Sequence, residues 1–421
     1  MIPLLDVYLP AALVEPVEQG DMRVGECRFN LKRGQVNCVF TYDRSYLTKS
    51  GAFAIDPHMP LSSTSHYCLG LPGVLRDTSP DRWGRHLIAR RQLHAVRELH
   101  VSPRTLDEVD YLAGVHDLAR QGAVRLALPD TLQMLSAEGN VPPVVELKRL
   151  IAASNGLILE GGSANQIQEL LDAGSGSLGG ARPKATVMDE GKLLLAKFSH
   201  PGDEWNVMAW EKTVLDLAKK VGISVPGSKL IRIGSDTVLV LERFDRQDSA
   251  LAGQRVPYLS AMTLLGAQDG EQRDYVEVAE ELAVFASDPD RELRRLFVRV
   301  CFSVLMHNTD DHLRNLGFLH FKGGWRLSPL FDVNINPDVR RQRVTSIYGE
   351  TGEGEIDALH ELAASCGLGE SEARCQIRDV LDALPHIRTV ARRNGCTERE
   401  LESMLAVVRR KTDGLRKSFK L

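Results

Sequence analysis

The sequence lacks the features that would place it in an oxidising compartment or in a bilayer. Its seven cysteines (Cys27, Cys38, Cys68, Cys301, Cys366, Cys375, Cys396) are odd in number and scattered, with no C-x-x-C pair, which speaks against a disulfide framework and against a zinc site. No apolar run approaches the ~20 residues of a membrane span. The first twenty residues carry Asp6, Glu15 and Glu18 and no basic n-region, so a cytoplasmic chain is expected. Basic charge is not in excess either. The 52 Lys and Arg against 56 Asp and Glu give a formal charge of −4, too acidic for an overall field that draws in nucleic acid or membrane. The twelve histidines contain no H-x-H or H-x-x-x-H pair. What remains, 421 residues at 43% hydrophobic and 26% charged, is an ordinary globular composition with room for two or three domains.

Period-2 alternation over residues 24–30 and 36–42 around Arg33-Gly34 predicts an antiparallel hairpin. A turn-rich stretch, Leu71 to Arg85, leads into a basic helix over about 82–98. Residues 1–125 are expected to form a small β-rich subdomain, with a boundary in the Pro- and Gly-containing 128–143. Residues 140–246 read as a strand-rich lobe: strands around 185–188 and 192–198, a helix over about 204–221, then a hairpin of 229–233 and 237–242. Residues 247–421 read as a helical lobe. Its clearest element starts near Arg291, with Asp288 as cap, Pro289 in the first turn and Leu293, Leu296, Phe297, Val300, Cys301, Val304 and Leu305 at helical spacing.

That apolar helix runs into His307-Asn-Thr-Asp-Asp-His-Leu-Arg-Asn315. Asp310 and Asn315 stand five apart, and a strand, a Gly323-Gly324 turn and a second strand then lead to Asp332. Protein kinases use this order: one Asp orients the acceptor hydroxyl, an Asn binds Mg²⁺, and a hairpin-borne Asp binds Mg²⁺ from the other side. An isolated Asp-Asp pair is more often a turn cap, but that reading leaves Asn315 and Asp332 unexplained. Lys197 shares a strand face with Leu193 and Leu195, and Glu211 lies in an apolar helix stripe of Val207, Met208, Val214, Leu215 and Ala218; each charge calls for a partner. A strand Lys paired with a helix Glu is the kinase device for holding nucleotide phosphates. Gly174-Ser-Gly-Ser-Leu-Gly-Gly-Ala-Arg-Pro-Lys184 fits no standard phosphate-loop pattern, but it precedes the Lys197 strand and could approach phosphates.

Ser177-Leu-Gly-Gly-Ala-Arg-Pro-Lys184, Leu241-Glu-Arg-Phe-Asp-Arg246, the 307–315 stretch and Leu327-Ser-Pro-Leu-Phe-Asp332 together resemble the HipA family, the serine/threonine-kinase toxins of bacterial type II toxin–antitoxin systems. Leu71-Pro-Gly and Ser79-Pro-Asp-Arg-Trp-Gly-Arg85 resemble the family's small N-terminal domain. The resemblance implies an α+β, two-lobed protein-kinase-like fold that uses ATP and Mg²⁺. It implies Asp310 as catalytic base, Asn315 and Asp332 as metal ligands, and Lys197, paired with Glu211, on the phosphates. Gly179, Gly180, Ala181, Arg182, Pro183, Lys184 and His312 are implied around the nucleotide, with Glu242, Arg243 and Phe244 near adenine. Ser177 falls where the family carries an autophosphorylated serine, whose dianion would be repelled by ATP phosphates. Arg182-Pro183 replaces the founding type's Gln-Glu, and Asp311 stands where Gly is frequent. The family pairs with a HipB-like helix-turn-helix antitoxin, so contact with DNA is expected only through that partner. Its best-known protein substrates are aminoacyl-tRNA synthetases. A metal-dependent phosphohydrolase built on Asp310, Asp311, His312 and Asp332, or an inactive kinase-like scaffold, are the alternatives.

Overall fold

In the computed structural model the described residues are 2–32, 35–100, 102–129, 131, 133–137, 141–175, 182–247 and 254–421. They divide into two compact units, Met1–Pro201 with Asp245–Leu259, and Gly202–Phe244 with Ser260–Leu421.

The first unit begins with an antiparallel sheet in the order β4-β3-β2-β1-β5, formed by β1 (Leu4–Pro10), β2 (Asp21–Lys32), β3 (Gln35–Tyr42), β4 (His66–Leu69) and β5 (Arg125–Ala127). The expected hairpin is β2–β3, with Gly25 opposite Tyr42 and Lys32 opposite Gln35; its Arg33-Gly34 turn lies outside the described residues. Alternation sets the register, because Val36, Cys38, Phe40 and Tyr42 all enter a core with Leu5, Val7, Val24 and Cys27, and a slip of one residue would turn them to solvent. The basic helix is α1 (Arg82–Leu99). Asp81 starts it by accepting the Gly84 N–H, and Trp83, Leu87 and Ile88 pack with Leu157 of α2 (Leu147–Glu160) and with Ile167 and Leu170 of α3 (Ala164–Asp172). Strands β6 (Lys184–Asp189) and β7 (Lys192–Phe198) form the next hairpin. Glu190 and Gly191, at φ 48° and 80°, supply the positive φ values that a two-residue type I′ turn needs.

In the second unit, α4 (Val207–Lys220) is capped by Asn206 and buries Met208, Trp210, Val214 and Leu217. The hairpin of β8 (Ser228–Ile233) and β9 (Asp236–Glu242) follows in the expected register. After α5 (Tyr275–Phe285) comes α6 (Pro289–Leu305), where Asp288 accepts the Arg291 N–H and proline occupies the first turn. Leu296, Phe297, Val300, Phe302 and Leu305 of α6 are at most 1% exposed. At about 1.5–3 kcal/mol per fully buried large apolar side chain, this helix anchors the unit. Strands β10 (Gly317–Phe321) and β11 (Gly324–Leu327) then pair, and α7 (Glu355–Ser365), α8 (Glu370–Leu381), α9 (Ile387–Asn394) and α10 (Glu398–Phe419) complete the chain.

Candidate functional site

The segment after α6 is shaped by one buried carboxylate. Asp311 is 5% exposed and accepts hydrogen bonds from the Arg343 guanidinium, from the Tyr275 hydroxyl at 3.1 Å and from the Val344 N–H at 3.0 Å, while its carbonyl accepts from the Thr345 hydroxyl at 2.7 Å. Arg343 also bonds Glu355 at 2.9 Å, and Glu355 takes the Lys411 ammonium. Burial lowers the Arg343 pKa, but Asp311 and Glu355 outweigh it and raise the value above the ordinary one, so the guanidinium stays charged. Asp311 is thus a structural anchor. Its neighbour Asp310 is turned to solvent, with a side chain 83% exposed.

The backbone around Asp310 is held by Asn315, whose Nδ2 donates to the Asp310 carbonyl at 2.8 Å and so leaves Oδ1 as the amide's acceptor. His312 Nε2 lies 3.9 Å from Asp310 Oδ1. Upstream, His307 takes φ 46°, and the 307–309 stretch is bonded to the stretch beyond Asp332: Asn334 N–H to Asn308 Oδ1 at 3.3 Å, Asn336 Nδ2 to Thr309 Oγ1 at 2.8 Å, and Asn336 N–H to the His307 carbonyl at 3.2 Å. The β10–β11 hairpin closes the arrangement, with Phe318 opposite Leu327 and Ser328 N–H donating to the Gly317 carbonyl at 2.8 Å. The chain therefore leaves Asn315, reverses, and returns along an adjacent strand to Ser328, four residues before Asp332.

Asp332 adopts φ 53°, in the left-handed region that non-glycine residues enter at a cost of about 1–3 kcal/mol and that functional sites often retain. Phe331 beside it packs against Phe244, ring centroids 5.3 Å apart, so the residue expected near adenine touches the segment that carries Asp332. Asn315 and Asp332 are hard oxygen donors suited to Mg²⁺. Among the described residues no three His, Cys, Asp or Glu side chains gather as a metal cage. A divalent ion held by this pair would take its other ligands from phosphate oxygens and water, as Mg²⁺ commonly does.

The remaining expected residues are distributed as follows. Lys197, in β7 of the first unit, is 5% exposed; Glu211, in α4 of the second, is 1% exposed. Pro183 and Lys184 are buried and Arg182 is half-buried, and the Pro183 carbonyl accepts the Phe198 N–H at 3.0 Å. The Lys184 ammonium lies 2.8 Å from Asp81. Ser177, Gly179, Gly180 and Ala181 lie outside the described residues. Glu242 is exposed at the end of β9, and Arg243 is buried.

Three sets of residues whose partners sequence reasoning did not find hold these elements in place. Asp311, Arg343 and Glu355 form the buried chain just described. Asp245, read only as part of the Leu241–Arg246 motif, accepts the Gly122 N–H at 2.7 Å, and Arg246 donates to the carbonyls of Gly122, Leu118 and Arg120 at 3.1, 3.1 and 2.8 Å. Asp117 accepts from Arg125 and Arg255; burial pushes its carboxyl up, but Arg255, Arg125 and Arg120 together hold it below its ordinary value. Arg120 is fully buried, and burial draws its pKa down to about 10.

The family model described as HipA-like C-terminal domain matches residues 176–387, and the one described as HipA N-terminal domain matches residues 17–113. A solved structure of HipA from Shewanella oneidensis MR-1, in complex with HipB and operator DNA, superposes with a TM-score of 0.69 at 17% identity, covering 98% of this chain and 97% of that one. At that identity the likeness shows a shared fold, and the expected kinase-like α+β architecture is the one found. A Haemophilus influenzae protein whose name proposes a kinase is 24% identical over 140 residues, which span 30% of this chain and 41% of the relative.

Proposed function

The chain belongs to the HipA family, and from that premise we propose that it is an ATP- and Mg²⁺-dependent serine/threonine protein kinase acting as a toxin. The observation that carries this reading is the loop in which Asp311, paired with Arg343, fixes the backbone while Asp310 projects into solvent, with Asn315 bonded to that same backbone. A carboxylate so placed can accept the hydroxyl proton of a protein substrate as oxygen attacks phosphorus. Asn315 and Asp332 would hold Mg²⁺, which supplies charge neutralisation on the phosphates. Lys197 would add a fixed positive charge there, and Glu211 would be its ion-pair partner. Arg182, Pro183 and Lys184, with Gly179, Gly180 and Ala181, would line the triphosphate; Glu242, Arg243 and Phe244 would meet adenine, and His312 would stand beside the catalytic base. Phosphorylation of Ser177 would repel ATP and silence the enzyme.

The hydrolase alternative needs Asp311 as a metal ligand, and that carboxylate is already committed to Arg343, Tyr275 and the Val344 amide. The Shewanella relative's assembly with HipB and operator DNA supports a helix-turn-helix antitoxin as partner, which would supply the DNA contacts that a chain of charge −4 does not invite. A translation component such as an aminoacyl-tRNA synthetase is the substrate class we infer from the family. We place its action in the cytoplasm; among the described residues no helix is long and apolar enough to cross a membrane. Calorimetric titration of ATP with and without Mg²⁺ tests the reading. Wild type should show Mg²⁺-dependent affinity that Asn315→Ala and Asp332→Ala lose; equal affinity in all three proteins would refute the metal assignment.

A further inference from the structure

The register of the β6–β7 hairpin sets Lys184 directly opposite Lys197, so two lysines share one face of neighbouring strands. Both are buried, at 2% and 5% exposure. Two like charges directly opposite each other on neighbouring strands are unfavourable without a counter-charge. The counter-charge comes from the HipA N-terminal module. Asp81 divides its carboxylate between two duties: Oδ1 accepts the Gly84 N–H at 2.9 Å as the cap of α1, and Oδ2 accepts the Lys184 ammonium at 2.8 Å. Both ends of that ion pair are shielded, with side chains 3% and 11% exposed. Burial pushes the Asp81 carboxyl up, and Lys184 and the Gly84 amide pull against that shift. Helix α1 is itself fixed by Trp83, Leu87 and Ile88, and the Gly84 N–H ties the Asp81 carboxylate to its first turn.

We propose that Asp81 is a positioning residue for the nucleotide phosphates, fixing the Lys184 ammonium at the start of β6. The N-terminal module then contributes to phosphate binding as well as to folding. This rests on the kinase reading above, and the test separates the two. Asp81→Asn retains an oxygen that can cap α1 but turns an amide donor toward the Lys184 ammonium. In the full chain, calorimetry and steady-state transfer should show ATP affinity weakened and KM for ATP raised about tenfold, with kcat within threefold of wild type and a thermal midpoint near that of wild type. Lys184→Met should weaken ATP to a similar degree, and the double variant should be no weaker than Lys184→Met alone, because both changes break one device. Should Asp81→Asn fail to fold, Asp81→Ser, which also caps, takes its place with the same expected results. ATP binding equal to or tighter than wild type in the Asp81 variant, or losses that add in the double variant, overturns the proposal. Wild type that binds no ATP overturns the kinase reading instead.

Discussion

Replacing Arg343 by methionine removes the guanidinium that neutralises two buried carboxylates while keeping most of the side-chain volume. Arg343 is 4% exposed and bonds Asp311 through two nitrogens and Glu355 through the third, with Tyr275 beneath its plane at 5.5 Å. Glu355 keeps Lys411, but among the described residues Asp311 is left with the Tyr275 hydroxyl and the Val344 and Thr345 amides. Breaking a buried ion pair from one side costs about 3–5 kcal/mol. In a unit of this size that corresponds to a fall of roughly 6–20 °C in thermal midpoint. Urea denaturation followed by tryptophan fluorescence should show the midpoint falling by the matching amount with an unchanged slope. The double variant Asp311→Asn/Arg343→Met leaves no unpaired charge at Asp311 and should recover at least half of the loss. Because Asp311 fixes the loop from which Asp310 projects, phosphoryl transfer should fall in the single variant even at temperatures where it stays folded. An Arg343→Met protein within about 0.5 kcal/mol of wild type, the range expected of an ordinary surface substitution, would refute the anchoring argument.

Three further outcomes follow from the same geometry. Asp332→Gly removes a non-glycine residue from φ 53°, so the denaturation midpoint should hold or rise while transfer is abolished; a clear loss of stability would show that Asp332 is there for packing. Burial lowers the His320 pKa to about 4, below the ~6.5 of an exposed imidazole, so the unfolded chain takes up this proton first. Stability from this residue is complete above about pH 6.5 and is lost as pH falls toward 4; His320→Phe should flatten that part of the stability profile, and an identical slope would remove His320 from the account. Asp117 behaves as a carboxylate held low despite its burial: its contribution is present above the unfolded value near ~3.9 and is lost as pH drops below it. Asp117→Asn should therefore destabilise the protein at pH 7 and narrow the gap to wild type at pH 3, which thermal scans at the two pH values measure.

How legible this chain was depended on how far apart the interacting residues stand. The β2–β3, β6–β7, β8–β9 and β10–β11 hairpins and the Asp288 cap of α6 rest on period, turn residues and neighbours a few positions away, and they appear where the sequence places them. The return of the chain from Gly317 to Ser328 was readable for the same reason, since a hairpin must come back on itself. Asp311 was not readable as an anchor, because its partner Arg343 stands 32 residues on in a stretch without periodicity. Asp81 and Lys184 are 103 residues apart, and a cap at the start of a helix gives no sign that its second oxygen is committed elsewhere. Asp245 and Arg246 were legible only as the end of the Leu241–Arg246 motif, which conveyed nothing of their hold on residues 118–122. Short-range pattern reveals elements, whereas buried charge pairs reveal themselves only once the elements have packed.

The central claim is tested most directly by incubating the purified full chain with γ-labelled ATP and Mg²⁺ and following label into protein. Wild type should transfer label to itself, with Ser177 the modified residue, and Asp310→Ala, changed at an exposed side chain and so folded as stably as wild type, should transfer none. Label appearing at the same rate in the Asp310→Ala protein, or none in wild type that binds Mg²⁺ and ATP, would contradict it.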